Sequence, residues 1–146
     1  MARYFTLPEA EKLLPQVESA IRDAVCLKAE HEQVEEELRA TLQRVTMLGG
    51  VDLDRRGFLD QRARREAAAA RLKDIIERIH GLGCLVKDLD QGLVDFPTLF
   101  RDEEVYLCWK LGEKEIGFWH KVEDGFRGRH PIDAAFLDNH KGETPN

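Results

Sequence analysis

Most of the side chains able to do chemistry lie in the second half of this sequence. Asp88, Asp95, Glu104, Glu123, Cys84, Cys108 and His120 include every donor type that a borderline-soft metal ion takes. Their spacing matches no metal motif, because HExxH, CxxC and a pair of Glu-x-x-His segments are all missing. A second grouping is His120, Arg127, Arg129 and His130 with Gly125 and Gly128. Two guanidinium forks, two imidazoles and backbone N–H groups could face a phosphate or carboxylate there. The competing structural use of Arg129 is an ion pair with Asp88 or Asp95 that ties a loop to a sheet. The ligand-binding candidates are therefore Asp88, Asp95, Glu104, His120, Arg127 and Arg129, with no catalytic residue, no metal ligand and no cofactor assigned.

Other chemistries find less support. Ser19 is the only serine, it falls mid-helix, and no G-x-S-x-G elbow exists. Gly81-Leu82-Gly83 follows a helical pattern instead of opening one, the wrong order for a dinucleotide loop. Cys84 has acidic neighbours, which disfavour its thiolate. The basic run Arg55, Arg56, Arg62, Arg64 and Arg65 has only Phe58 interleaved, and the chain carries a net charge of -6. That pattern argues against nucleic acid and for a helix face paired with an acidic helix.

The elements that must position these residues read clearly at first. Thr6-Leu7-Pro8-Glu9 has the form of a capping box with proline in the first turn. Apolar residues follow at Ala10, Leu14, Val17, Ile21, Ala24, Leu27, Val34, Leu38, Leu42 and Val45, the spacing of one buried helical stripe. Pro15 inside this pattern predicts a kink or a split. Gly49-Gly50 ends the helix near Thr46, and Asp52 or Asp54 can cap a second one with the stripe Ala68, Leu72, Ile75, Ile79 and Leu82. The two fold back as an antiparallel hairpin over about residues 7–81.

From Gly83 the period changes to 2. Cys84–Leu89 and Leu93–Phe96 flank Asp90-Gln91-Gly92 as one β-hairpin, with Pro97 ending its second strand. A second hairpin is expected from Glu104–Leu111 and Lys114–Val122. Placing Lys110 opposite Glu115 pairs Trp109 with Ile116, Leu107 with Phe118 and Val105 with His120. In that register His120 shares the helix-facing side with Val105 and Leu107, while Cys108 points the other way. A loop over Glu123–Arg129 and a short helix near Ile132–Leu137 complete the chain.

Three separated segments carry a resemblance: Tyr4-Phe5-Thr6-Leu7-Pro8-Glu9-Ala10; Gly83-Cys84-Leu85-Val86-Lys87-Asp88 with Gly92-Leu93-Val94-Asp95-Phe96-Pro97; and Glu104-Val105-Tyr106-Leu107-Cys108-Trp109 with Trp119-His120 and Gly125-Phe126. In this order, over about residues 3–131, they resemble the bacterial family of unknown function numbered 2203. The resemblance implies a small bacterial cytosolic protein and transfers no catalytic residue.

The expected fold is α+β: a long antiparallel helical hairpin packed on a small antiparallel β-sheet of two β-hairpins. One domain covers 1–138, with a β region at about 84–122 and a disordered tail at 139–146. Its 146 residues suffice for one core. Three widely spaced cysteines and the lack of an apolar run long enough for a membrane helix suit a reducing cytoplasm and no membrane partner. The expected role is an interaction or small-ligand-binding module, the ligand being a small anion or a protein. The alternative is a metal-dependent or otherwise undetected enzyme using positions 88, 95, 104, 120 and 129. Two helices with more apolar stripe than a small sheet can cover also predict a homodimer through the hairpins.

Overall fold

A computed structural model describes residues 3–49 and 55–142. Helix α1 spans Leu7–Met47 and α2 spans Arg55–Gly81, and the two pack against each other along their length. The Thr6 hydroxyl accepts from the Glu9 N–H and the Glu9 carboxylate accepts from the Thr6 N–H, so the expected capping box closes. The helix runs unbroken through Pro15, so the expected split into two pieces does not occur. Pro15 lies on the exposed side of α1, where water can satisfy the carbonyl its missing N–H leaves behind. Residues 50–54, which hold the second glycine of the break and both candidate caps of α2, lie outside the described residues.

Among the described residues the sheet has six strands: β1 (Leu85–Asp88), β2 (Leu93–Phe100), β3 (Glu103–Lys110), β4 (Phe118–Lys121), β5 (His130–Pro131) and β6 (His140–Lys141). The first five lie in chain order, all antiparallel, and β6 joins the far half of β2 beyond β1. Pro97 does not end β2, which continues to Phe100. The Pro97 carbonyl accepts from the Phe5 N–H, so its nitrogen faces the same gap between β1 and β6 and no ladder bond is lost. The β2–β3 turn is two residues long, with Arg101 at φ 52° and Asp102 at φ 65°, the positive values a type I′ hairpin requires.

Helix α3 (Ala134–Asn139) is capped by the Asp133 carboxylate, which accepts from the Phe136 N–H. Asn139 thus closes a helix and His140 and Lys141 pair with β2, so the expected tail boundary at 139 falls too early. Residues 143–146 lie outside the described residues.

Alternation gives the sheet two unlike faces. Val94, Phe96, Val105, Leu107 and Trp109 pack with Phe5, Val17 and Ile21 near α1 and with Ile79 of α2, while Phe136 of α3 stacks on Phe100 and Trp119. Each fully buried side chain of this size contributes about 1.5 to 3 kcal/mol. The other face carries Asp95, Tyr106, Cys108, Phe118 and His120 and is overlain by residues 122–126. Among the described residues no helix is long and apolar enough to cross a membrane.

Gly92 closes the β1–β2 turn at φ +68°, and a Cβ there would lie 2.5 Å from the Cβ of Leu111. Gly92→Ala should therefore lower stability by about 1 to 3 kcal/mol in chemical denaturation. Gly117→Ala, with open space around it, should stay within about 0.5 kcal/mol of the parent.

Candidate functional site

The β3–β4 connection decides which side chains meet. It has seven residues, Leu111–Gly117, organised around Glu113. The Glu113 N–H donates to the Lys110 carbonyl at 2.9 Å, and its carboxylate accepts from the Lys110 N–H at 2.8 Å. The Glu113 carbonyl accepts from the indole N–H of Trp109 at 2.9 Å. Lys110 therefore does not sit opposite Glu115, and the pairing is Cys108 with Phe118, Leu107 with Trp119, Tyr106 with His120 and Val105 with Lys121. An exposed charge pair is worth about 0.2 to 1 kcal/mol. A buried indole N–H without an acceptor costs about 1 to 3 kcal/mol, so the Glu113 turn wins.

This one-residue shift corrects the expected register and turns His120 to the other face. It no longer accompanies Val105 and Leu107. It lies beside Cys108, with which the sequence register gave it no contact, and against Asp95 of β2, the residue opposite Cys108. The three are 4%, 1% and 2% exposed, and their donor atoms lie within 4.8 Å of one another. Above them a pocket of about 120 Å³ is lined by Lys87, Tyr106, Val122, Asp124 and Phe126.

His120 faces two acceptors. Its Nδ1 lies 2.8 Å from the Lys121 carbonyl oxygen, and its Nε2 lies 3.1 Å from both oxygens of Asp95. A carbonyl only accepts, so Nδ1 carries a proton and a second proton sits between Nε2 and Asp95. Burial opposes the imidazolium, but the bonds to Asp95, Cys108 and the Lys121 carbonyl outweigh it and push the pKa up to about 10. The Tyr106 ring meets the imidazole edge-on at 5.5 Å, and the Lys87 ammonium sits 4.7 Å above that ring. Burial, then the charges of Glu104 and Asp95, raise the pKa of the Tyr106 hydroxyl.

The other sequence candidates go elsewhere. Asp88 accepts from the backbone and side chain of Gln91 within the β1–β2 turn. Glu104 accepts from the Tyr4 hydroxyl at 2.8 Å. Arg127 is exposed in a 3-10 turn at Phe126–Gly128. Arg129 pairs with neither Asp88 nor Asp95; it donates to both oxygens of Glu113 at 3.0 and 3.2 Å and stacks on Phe118 and Phe126. His130 lies over Trp119 on the helix-facing side, so the supposed anion cluster does not assemble. Cys84 is in the core, where burial pushes its thiol to about 12. Of the ligand-binding candidates, Asp95 and His120 meet. Cys108 joins them, and only the correct register could have revealed it.

A histidine pKa raised on folding stabilises fully below its unfolded value, and that stability is lost as pH climbs through the folded value. In buffer containing EDTA, unfolding free energy should fall from about pH 6.5 towards pH 10, by at most about 1.4 kcal/mol per pH unit for one proton. His120→Gln should flatten that decline in urea melts across the range; an unchanged slope would show that His120 is neutral.

Comparison with known proteins gives little beyond kinship. No curated protein and no solved structure matches the chain. Residues 3–132 match the family described as uncharacterized conserved protein, DUF2203, and over that span, most of its length, the chain belongs to this family.

Proposed function

We propose that this protein is a small-ligand-binding module whose site is the pocket above Asp95, Cys108 and His120. One observation carries this reading: a carboxylate, a thiol and an imidazole converge, buried, on the sheet face that the helices leave uncovered. Stability alone does not account for them, because apolar residues of similar volume commonly replace a buried ion pair without loss. A volume of about 120 Å³ suits an ion or a group of a few atoms, whereas sites for larger ligands run to about 300 to 1,000 Å³. The alternative, a metal-dependent enzyme using Asp88, Asp95, Glu104, His120 and Arg129, has less support because three of those five side chains are engaged elsewhere. The three cysteines are free, which favours a reducing compartment such as the cytoplasm.

Titrating the protein separately with zinc chloride, sodium phosphate and sodium acetate, followed by backbone amide resonances, tests the reading. At least one probe should shift residues 87, 106, 108, 120 and 124–126 together, and His120→Gln should abolish the shift. No response to any of the three at millimolar concentration would overturn it.

The hairpin supports a second reading, association with a second copy. The sheet-packed core reaches only Val25 on α1 and Ile75 on α2. Farther out Leu42, Met47, Leu48 and Leu59 are exposed, and an open groove is lined by His31, Ala69, Leu72 and Ile76. Residues 1–54 carry 6 basic and 11 acidic side chains, and residues 55–78 carry 8 and 4. A two-fold arrangement can set the acidic helix of each copy against the basic helix of the other while covering those apolar residues. Light scattering should give twice the chain mass at micromolar concentration, falling towards one with added salt; the monomer mass throughout would reject it.

A further inference from the structure

We propose that Asp95, Cys108 and His120 bind one divalent transition-metal ion of the zinc type, with a coordination position left open towards the pocket. This rests on the reading of the pocket as a ligand site and names the ligand. The donors come from β2, β3 and β4, adjacent strands of one sheet, so the backbone fixes their relative positions. Their atoms lie within 4.8 Å of one another, and zinc bonds of about 2.0 to 2.3 Å require a contraction of only about 1 Å.

The orientation of His120 is that of a ligand. The Nδ1–H donates to the Lys121 carbonyl, which points Nε2 towards Asp95 and Cys108. Charge also balances. A divalent ion held by a carboxylate, a thiolate and a neutral imidazole, with any displaced protons passing to solvent, forms a group with no net charge. A monovalent ion would leave a buried negative charge. Magnesium and calcium prefer oxygen to a thiolate and an imidazole. The open position faces Tyr106, Asp124 and Phe126, where water or a small anion can complete the shell.

Cobalt(II) and zinc titrations of the full chain provide the test. Cobalt should bind at one ion per chain with a thiolate-to-cobalt charge-transfer band, and zinc should bleach that band by competition. Cys108→Ser should lose the band, and Asp95→Asn and His120→Gln should weaken binding by at least ten-fold. His31→Gln and Cys26→Ser should match the parent. In the unaltered protein, zinc should shift the His120 Nε2 resonance while Nδ1 keeps its proton, a readout that needs no variant to fold. Absence of the band in the parent, or its survival in Cys108→Ser, would overturn the assignment. If zinc and cobalt leave the protein unchanged while phosphate or acetate shifts the pocket resonances, the metal assignment fails and the ligand-binding reading stands.

Discussion

The hydrogen bond from the Trp109 indole to the Glu113 carbonyl, with the contacts that hold Glu113 in place, sets the identity of both sheet faces. Trp109 is fully buried, so its N–H must be satisfied inside the protein. Glu113 supplies the acceptor only if the loop stays seven residues long. That length fixes β4 against β3, and a strand has only two choices of face. Arg129 reinforces the choice from the other end, because its bonds to Glu113 and its stacking on Phe118 draw the segment after β4 across the site face. The aromatic packing on one side of the sheet and the polar cluster on the other are therefore set by the same turn.

The two faces divide the work. The helix-facing side excludes water with large apolar side chains, and its one buried thiol, Cys84, is held protonated by that apolar setting. On the opposite side the polar groups are also buried, yet they are covered by a short segment instead of by helices. Among the described residues no buried side-chain polar atom lacks a partner. The Asp95 and His120 pair is thus internally satisfied while remaining next to an opening.

Helix periodicity, the capping box and the Gly92 turn were legible because each depends on neighbours within a few residues in sequence. The β2–β3 hairpin was not, since its turn is Arg101-Asp102 and neither residue advertises a positive φ as glycine would. Pro97 looks like a stop in the sequence because its place in the strand depends on Phe5, 92 residues earlier in the chain. The site was half legible: Asp95 and His120 stood out by residue type, whereas Cys108 needed the register. A surface pairing of Lys110 with Glu115 was the visible signal, and the buried demand of Trp109 was the stronger one.

The bond from the Leu7 N–H to His140 Nε2 joins residues 133 apart, beside the pairing of β6 with β2. During synthesis the helices and the β1–β4 meander can form before His140 exists. Until it does, the far half of β2 presents an unpaired edge and the first turn of α1 lacks one of its partners. The C-terminal segment therefore clasps the start of the chain to the edge of β2 through contacts far apart in sequence. A chain ending before His140 would leave that edge of β2 unpaired and open to pairing with another chain.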